Sequence, residues 1–314
     1  MRISFLGLGH MGLPMAINLV RAGHDVVGFD VVPAAIDAAR AAGISVADSG
    51  QDAVRGSLRE PVGGQEPGGV VITMFPSGRH VIDAYGGSAA VPGLLAAAAP
   101  GTLFIDCSTI AVDEAREAHA LAEGAGHRSI DAPVSGGVVG AENATLAFMV
   151  GGTGDDFEAA RPILEAMGRR VVHCGAAGLG QAAKVCNNMI LGISQIAVAE
   201  AFVLGERLGL SHQVLFDVAS NASGQCWALT TNCPVPGPVP ASPANRDYQP
   251  GFAGALMSKD LGLAQQAIDL TGVDARMGRL AREIYQDFAA GEGAGQDFSG
   301  IINTIRTQSE GRAA

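Results

Sequence analysis

The stretch MRISFLGLGHMGLPMAINLVRAGHDVVGFD, residues 1–30, decides the fold of this chain. Its apolar run Ile3–Leu8 predicts a buried strand, and the periodic segment Met11–Ala22 predicts a helix. Between them lies Gly7-Leu8-Gly9-His10-Met11-Gly12, a G-x-G-x-x-G sequence. In such a loop the first glycine permits a tight turn, the second admits a pyrophosphate to the backbone, and the third lets the helix pack closely on the strand. The stretch therefore predicts a dinucleotide-binding loop.

Asp30 indicates which dinucleotide the loop binds. It closes a second predicted strand, Asp25–Phe29, 18 residues after Gly12. A carboxylate at this position can accept hydrogen bonds from the diol of an adenine ribose. The following residues, Val31-Val32-Pro33, include no arginine or lysine that would bind a 2′-phosphate. The pattern therefore predicts NAD rather than NADP.

The order of strands and helices predicts two domains. Up to about residue 177, short apolar strands alternate with helices, which indicates an α/β domain with a parallel, doubly wound sheet. The further strands are Val70–Met74, Thr102–Asp106 and Leu146–Val150, and the further helices are Ala34–Ala42, Val112–Glu123 and Phe157–Met167. From Gly178 onward the periodicity is helical. We expect an NAD-binding Rossmann domain at 1–177, and an all-α substrate and oligomerisation domain at 178–314, joined by a long helix.

Composition excludes several classes of protein. With 48% hydrophobic and 16% charged residues the chain has enough apolar material for a core and is not typical of disorder. Its net charge of −11 disfavours binding to nucleic acid or to an anionic membrane. Five cysteines without a Cys-x-x-Cys pair predict reduced thiols in a cytoplasmic protein, with no metal site.

The apolar window Met189–Leu204 is too short and too polar for a membrane span and predicts a buried core helix. The Gly- and Pro-rich segment Gly56–Gly69 predicts a surface loop.

Two later motifs carry candidate chemistry. In Asp131-Ala132-Pro133-Val134-Ser135-Gly136-Gly137 the serine hydroxyl and the glycine N–H groups suit a small carboxylate, although the same residues also form ordinary turns. In the segment Gly178–Asn188, Lys184 and Asn188 share one helical face. A lysine among apolar residues there is either an acid/base group or a structural, salt-bridged residue.

Taken together, these motifs resemble the 3-hydroxyisobutyrate dehydrogenase branch of the β-hydroxyacid dehydrogenases. The resemblance covers nearly the whole chain. It rests on Phe5–Gly12, Asp106-Cys107-Ser108-Thr109, Asp131–Gly137, Lys184-Val185-Cys186-Asn187-Asn188, Gly224-Gln225-Cys226-Trp227 and Met257-Ser258-Lys259-Asp260-Leu261. The sequence Cys-Asn-Asn after Lys184, and the Trp227 segment followed by Pro234-Val235-Pro236-Gly237, look like this branch in particular.

The resemblance implies a role for each matching residue. Lys184 is expected to move the proton as the catalytic acid/base, with Asn188 orienting the substrate oxygen. Substrate binding is implied for Ser135, Gly136, Gly137 and Trp227. Cofactor contacts are implied for Gly7, Leu8, Gly9, His10, Met11, Gly12, Asp30, Phe75, Pro76, His80, Thr109 and Lys259. His80 has the alternative of a solvated loop histidine, and the His10 side chain is expected to point outward.

The implied activity is NAD-dependent oxidation of 3-hydroxyisobutyrate to methylmalonate semialdehyde in valine breakdown, by a homodimer or homotetramer. One alternative is a related reductase of tartronate semialdehyde, succinic semialdehyde or glyoxylate. The other is a dinucleotide-binding module that has lost catalysis. The presence of Lys184, Asn188 and Ser135 disfavours this second alternative.

Overall fold

The computed structural model describes residues 1–56, 69–88 and 91–310. It divides into two compact units, Met1–Lys184 and Val185–Ala314. This division lies inside a helix, whereas the sequence places the domain boundary before that helix, near residue 177. The predicted loop Gly56–Gly69 lies almost wholly outside the described residues, because 57–68 are not described.

The first unit alternates strands and helices. Its strands are β1 (Arg2–Leu6), β2 (Asp25–Phe29), β3 (Ser45–Val46), β4 (Val70–Thr73), β5 (Leu103–Asp106), β6 (Arg128–Asp131), β7 (Val134–Ser135), β8 (Leu146–Gly151) and β9 (Gly168–Gly175). Its helices are α1 (Gly12–Arg21), α2 (Pro33–Ala41), α3 (Gly50–Gly56), α4 (Gly78–Gly86), α5 (Leu94–Ala97), α6 (Val112–Gly124), α7 (Gly137–Glu142) and α8 (Gly154–Glu165). Helix α9 (Leu179–Arg207) begins in this unit.

The described strands form one sheet, in which six parallel strands follow the order β3-β2-β1-β4-β5-β6. This is the strand order of a dinucleotide-binding Rossmann sheet, whose ligand site lies at the carboxyl ends of the strands where the order reverses. Here the reversal falls between β1 and β4. The predicted fold class is confirmed.

Side chains on alternate residues of β1 face opposite sides of the sheet, and both sides are covered. Ile3 and Phe5 pack in a cluster with residues of α1 and α8. Leu6 packs in a second cluster with residues of α3, α4 and α6. Because each face buries an apolar layer, the strands read as continuous apolar runs, as expected for a doubly wound sheet.

The sheet is not wholly parallel, which corrects the sequence prediction. Strand β8 pairs antiparallel with β6 and with β7, and β9 then pairs parallel with β8. The chain between β6 and β8 carries only the two-residue β7 and the six-residue α7, so it reverses direction instead of crossing over the sheet. Strand β9 has no apolar run because it pairs only with β8 and its Arg169 and Arg170 are exposed.

The described elements of the second unit are helices. After α9 come α10 (His212–Ala219), α11 (Trp227–Thr230), α12 (Gly254–Thr271), α13 (Arg276–Ala289) and α14 (Ile301–Glu310). Their core packs Phe202 of α9 against Tyr285 of α13 and Ile302 of α14. Buried Asp297 joins the segments around this core, since its carboxylate accepts hydrogen bonds from the Asn232 side chain and from the N–H groups of Gly251, Phe252 and Ser299.

Helix α9 is, by length and composition alone, long and apolar enough to cross a membrane. The expectation that this segment is too short and too polar to do so is therefore wrong. Half of its most apolar window is nevertheless buried inside the chain, and Ile196 and Phe202 belong to the core of the second unit. This burial is typical of the core helix of a folded domain.

Candidate active site

The glycine loop after β1 has the geometry that a dinucleotide needs. Gly7 has a φ of +94°, and a Cβ there would lie 2.2 Å from the Met74 carbonyl oxygen. A Cβ at Gly12 would lie 1.8 Å from the Gly7 carbonyl oxygen, so neither position accepts a side chain. At Gly9 the surroundings are open, with no heavy atom of the described residues within 4 Å of a Cβ built there. The first and third glycines thus shape the loop, and the second leaves space outside it.

Asp30 lies beside this loop, at the end of β2. Its Oδ2 accepts a hydrogen bond from the Leu8 N–H at 2.6 Å, and its Oδ1 accepts one from the Val32 N–H at 2.8 Å. Each carboxylate oxygen can accept about two hydrogen bonds, so each retains a lone pair for a ribose hydroxyl. The carboxylate is half-buried and has a fixed orientation.

The ends of β4 and β5 are joined by hydrogen bonds around Asp106. Its Oδ1 accepts bonds from the hydroxyls of Thr73 (2.8 Å) and Ser108 (2.6 Å). The Ser108 hydroxyl also accepts the Phe75 N–H at 2.7 Å, which fixes the backbone before Pro76. The predicted cofactor residues Phe75 and Pro76 therefore follow β4, and Thr109 follows Ser108 at the neighbouring strand end.

Asp106 is itself unusual because its carboxyl is almost fully buried. Burial is the main cause that raises its pKa to about 6, against hydrogen bonds from Ser108 and Thr73 that lower it. Its Oδ2 has no hydrogen-bond partner among the described residues. The same burial raises the pKa values of the neighbouring Tyr85 and Cys107 well above their ordinary values.

The two histidines of this region are exposed. His10 lies in the glycine loop, as expected with its side chain toward solvent, and the adjacent Met11 is half-buried. His80 lies on helix α4 rather than in a loop, and its Nδ1 is 2.7 Å from the Ser77 hydroxyl. Pro76 is also exposed. These side chains can be reached by a ligand at the sheet edge.

The predicted carboxylate nest lies between β7 and the short helix α7. Ser135 ends β7 and is half-buried. Gly136 and Gly137 follow with φ values of +135° and +61°, a region that favours glycine. Helix α7 begins at Gly137, so its first N–H groups have no acceptor within the helix.

Lys184 lies on the second turn of α9 and is only 6% exposed. The first turn is bonded to the sheet edge. The Asp131 carboxylate, at the end of β6, accepts the N–H groups of Gly178 at 2.7 Å and Gln181 at 2.8 Å. The Gln181 side chain donates to the Ser108 carbonyl at 2.7 Å and accepts the Ile110 N–H at 3.2 Å. Lys184 thus directly follows a turn that is fixed at the carboxyl ends of β5 and β6.

Asn188 lies one turn beyond Lys184 and is buried. Its Nδ2 donates to Asp260 Oδ2 at 2.5 Å, and its Oδ1 accepts from the Asn187 Nδ2 at 2.9 Å. One Nδ2 hydrogen is left for a further acceptor. Two more predicted residues lie in the second unit: Lys259, half-buried on α12, and Trp227, exposed at the start of α11.

Comparison with known proteins identifies the family. A family model described as the NAD binding domain of 6-phosphogluconate dehydrogenase matches residues 2–175, and one described as NAD-binding of NADP-dependent 3-hydroxyisobutyrate dehydrogenase matches residues 178–305. A probable 3-hydroxyisobutyrate dehydrogenase of Mycobacterium tuberculosis is 56% identical over 98% of this chain and 99% of that protein. The chain belongs to the 3-hydroxyisobutyrate dehydrogenase family. It is an NAD-binding oxidoreductase of the hydroxyacid dehydrogenase type.

Two further relatives bear on the substrate of this 3-hydroxyisobutyrate dehydrogenase family member. An NAD-dependent L-serine dehydrogenase of Pseudomonas aeruginosa is 47% identical over 99% of both chains. A solved structure, described as Mycobacterium tuberculosis 3-hydroxyisobutyrate dehydrogenase with L-serine, has a TM-score of 0.89 at 56% identity and covers 97% of this chain and 99% of that one. The relatives of this chain thus include proteins named for 3-hydroxyisobutyrate and for L-serine.

Several residues that position the candidate site of this family member have no local signal in the sequence. Asp131 and Ser108 stand in the quoted motifs without an assigned role, and Gln181 was not singled out. A simple count was also available: Lys184 and Lys259 are the only two lysines among the 20 cationic residues of the chain. Because a guanidinium does not give up its proton in proteins, the two lysines are the cations that can transfer one.

No group of three or more His, Cys, Asp or Glu side chains in residues 1–56, 69–88 and 91–310 is arranged to hold a metal ion. The polar groups at the sheet edge are one lysine, a glutamine amide, hydroxyls, glycine N–H groups and the separate carboxylates of Asp30, Asp106 and Asp131. This set suits an organic acid and a dinucleotide.

Proposed function

We propose that this chain oxidises 3-hydroxyisobutyrate to methylmalonate semialdehyde with NAD⁺, a step of valine breakdown, and that Lys184 is the general acid/base. The observation that carries the proposal is the position of Lys184. It is buried, and its helix starts at the sheet edge where the glycine loop and Thr109 also lie. The family membership supplies the reaction class, and the identity of the substrate is our proposal.

The residues present fit a bound NAD. The open space at Gly9 lets a pyrophosphate approach the loop, and the start of α1 presents N–H groups there. Asp30 offers two oriented oxygens to the adenine ribose. Bound NAD⁺ supplies the acceptor for the hydride that leaves the carbinol carbon.

Lys184 and Asn188 act on the substrate oxygen in this proposal. When the hydroxyl is oxidised, the neutral Lys184 Nζ takes its proton, and in the reverse reaction the ammonium returns it. Asn188, held by Asp260 and Asn187, donates its remaining N–H to the same oxygen. Its fixed amide keeps the hydroxyl at the lysine, which is the orientation effect that speeds a proton transfer.

The nest at Ser135, Gly136 and Gly137 is assigned to the substrate carboxylate. Its two glycines carry no side chain that would keep a carboxylate away from their backbone N–H groups. Trp227 is assigned to the apolar wall that receives the methyl group. In this assignment backbone N–H groups bind the substrate carboxylate, and Lys184 and Asn188 contact the oxygen on the carbinol carbon.

L-serine is the second candidate substrate. It differs from 3-hydroxyisobutyrate by an ammonium group in place of the methyl, so the two acids have nearly the same shape. The Pseudomonas aeruginosa relative named for L-serine favours it. Discrimination between such compounds depends on whether the wall against this group is apolar or carries a polar acceptor.

A panel of initial rates tests the substrate. We expect kcat/KM with NAD⁺ to be highest for 3-hydroxyisobutyrate, with L-serine lower by roughly 10-fold or more, because an apolar wall loses the methyl contact and desolvates the ammonium group. D-Glycerate, 3-hydroxypropionate and 4-hydroxybutyrate complete the panel, and each is repeated with NADP⁺. In the Trp227→Ala variant the preference for the methyl-bearing acid should shrink. A higher kcat/KM for L-serine would assign the chain to the serine enzymes.

We further propose a cytoplasmic homodimer or homotetramer. Helix α9 carries the exposed apolar side chains Ile190 and Leu204, Leu208 follows directly after it, and Val214 and Val218 are exposed on α10. Large exposed apolar surfaces mark protein contacts. The mass in solution, measured by light scattering, should be two or four times 31.8 kDa, and Leu204→Glu should lower it. A monomeric wild-type chain would contradict this assembly.

A further inference from the structure

We propose that Asp131 and Gln181 are positioning residues that together fix Lys184 relative to the loop carrying Thr109. The inference rests on the proposed role of Lys184 and deepens it. We call the two side chains and their four hydrogen bonds the α9 anchor. Neither residue is expected to touch substrate or cofactor, and each acts through the backbone that it holds.

Asp131 binds the start of α9 from a distant part of the sequence. Its two carboxylate oxygens each accept one N–H, from Gly178 and from Gln181, and these residues lie 47 and 50 positions later in the chain. N–H groups at the start of a helix have no acceptor within it, and a negative charge is favoured there. Burial raises the pKa of Asp131, and the two N–H bonds oppose that rise. The two N–H groups therefore fix the orientation of the carboxylate, and the carboxylate fixes the start of α9.

Two glycines make room for this carboxylate. A Cβ at Gly151 would lie 2.4 Å from Asp131 Oδ1, and a Cβ at Gly180 would lie 2.8 Å from Oδ2. Because neither residue has a side chain, the carboxylate can lie between β8 and the start of α9.

Gln181 connects the same helical turn to the loop after β5. Its Nε2 donates to the Ser108 carbonyl and its Oε1 accepts the Ile110 N–H, so one fully buried amide holds the backbone on both sides of Thr109. Lys184 lies three residues further along α9, a rise of about 4.5 Å. The Gln181 side chain therefore fixes the position of Lys184 relative to the loop that carries Thr109.

A displacement of this turn should slow the chemical step. A misplacement of about 1 Å in reacting groups costs on the order of 100-fold in rate. The glycine loop and Asp30 bond to other parts of the unit, so their contacts with the cofactor should not depend on Asp131, and only the contact at Thr109 should respond to it. A residue that only stabilises the fold would lower the amount of active protein and leave the rate-limiting step unchanged.

The test compares Asp131→Asn with a matched control, Asp156→Asn. The asparagine keeps the shape but points an NH₂ group at an N–H donor. Asp156 is also a buried carboxylate at the start of a helix, where it binds Arg128 and Thr153 at α8. With the best substrate of the panel, Asp131→Asn should lower kcat by roughly 10- to 100-fold. The dissociation constant of NAD⁺ should change much less than kcat, because the glycine loop and Asp30 are held independently of Asp131.

The deuterium isotope effect separates positioning from stability. With substrate deuterated at the carbinol carbon, Asp131→Asn should show a larger isotope effect on kcat than the wild-type enzyme, because the chemical step has become slower. Asp156→Asn should lower the melting temperature and leave the isotope effect unchanged. If Asp131→Asn loses stability with wild-type kcat and isotope effect, the proposal is overturned.

Two additions keep the proposal testable. If Asp131→Asn does not fold, Gln181→Met removes both side-chain bonds at similar volume and should give the same kinetic pattern. Amide hydrogen exchange of residues 178–184 needs no turnover, and Asp131→Asn should accelerate it. If the wild-type chain oxidises none of the acids, the proposed function fails, while unchanged exchange in the variant would contradict the anchor itself.

Discussion

The Asp30 carboxylate accepts a hydrogen bond from the backbone N–H of Leu8 at 2.6 Å. This bond joins the end of β2 to the glycine loop after β1, two segments that are 22 residues apart in sequence. The acid that would select the ribose is therefore also a support of the loop that would bind the pyrophosphate. Cofactor choice and loop shape are coupled through one side chain.

Removing the charge of Asp30 should weaken cofactor selection. We expect Asp30→Asn to raise the KM for NAD⁺ by roughly 10-fold or more, because hydrogen bonds to a charged group contribute about 1.5–3 kcal/mol. The preference for NAD⁺ over NADP⁺ should fall, since the carboxylate no longer repels a 2′-phosphate. Initial rates with both cofactors measure this. Asp25→Asn, an exposed acid at the start of β2, serves as the control and should leave both values unchanged.

The second and third glycines of the loop should respond differently to alanine. Gly9→Ala adds a methyl group in open space, so the variant should fold with an unchanged melting temperature and lose NAD⁺ affinity. Gly12→Ala places a methyl 1.8 Å from the Gly7 carbonyl oxygen, so it should lose stability as well. Thermal unfolding with and without NAD⁺ separates the two effects. Normal NAD⁺ binding by Gly9→Ala would mean that the pyrophosphate does not approach the loop there.

Asp106 should make the stability of the protein depend on pH. Its pKa is about 6 in the folded chain, above the ordinary value of 3.8, so the folded state binds a proton more tightly than the unfolded state. This contribution to stability is fully present below pH 4 and is lost as the pH rises through 6. A shift of this size corresponds to about 3 kcal/mol.

The variant Asp106→Asn isolates that contribution. The difference in unfolding free energy, wild type minus variant, should grow by up to about 3 kcal/mol between pH 7 and pH 4. Urea denaturation at a series of pH values measures it, and other titrating groups cancel in the difference. If this difference in unfolding free energy stays constant with pH, the pKa of Asp106 is the same in the folded and unfolded chain, and burial does not raise it.

Local patterns in the sequence predict much of the fold and less of the site. Strand β1, the glycine loop and α1 are contiguous, so their apolar periodicity and glycine spacing are sufficient to place them. Helix α4 was not predicted, because its Arg79, His80 and Asp83 interrupt the apolar period. Edge strand β9 was missed for a similar reason, since its exposed arginines do not form an apolar run.

The candidate site shows a different limit. Lys184 and Asn188 share a helical face at a spacing that can be read directly from the sequence. The role of Asp131 at the start of α9 depends on the pairing of β6 with β5 and on residues 47 positions apart, which no local pattern encodes. Likewise, the bond between Asn188 and Asp260 spans 72 positions. Residues that transfer protons could be predicted, and residues that hold them in place required the structure.

The most direct test replaces Lys184 by arginine and by alanine. Arginine keeps the positive charge but cannot exchange its proton at neutral pH, so both variants should lose kcat by about 10²- to 10⁴-fold, the usual contribution of a general acid/base. NAD⁺ binding, measured by fluorescence titration, should remain close to that of the wild-type chain. If Lys184→Arg oxidises 3-hydroxyisobutyrate at the wild-type rate, Lys184 does not transfer the proton and the proposed mechanism is wrong.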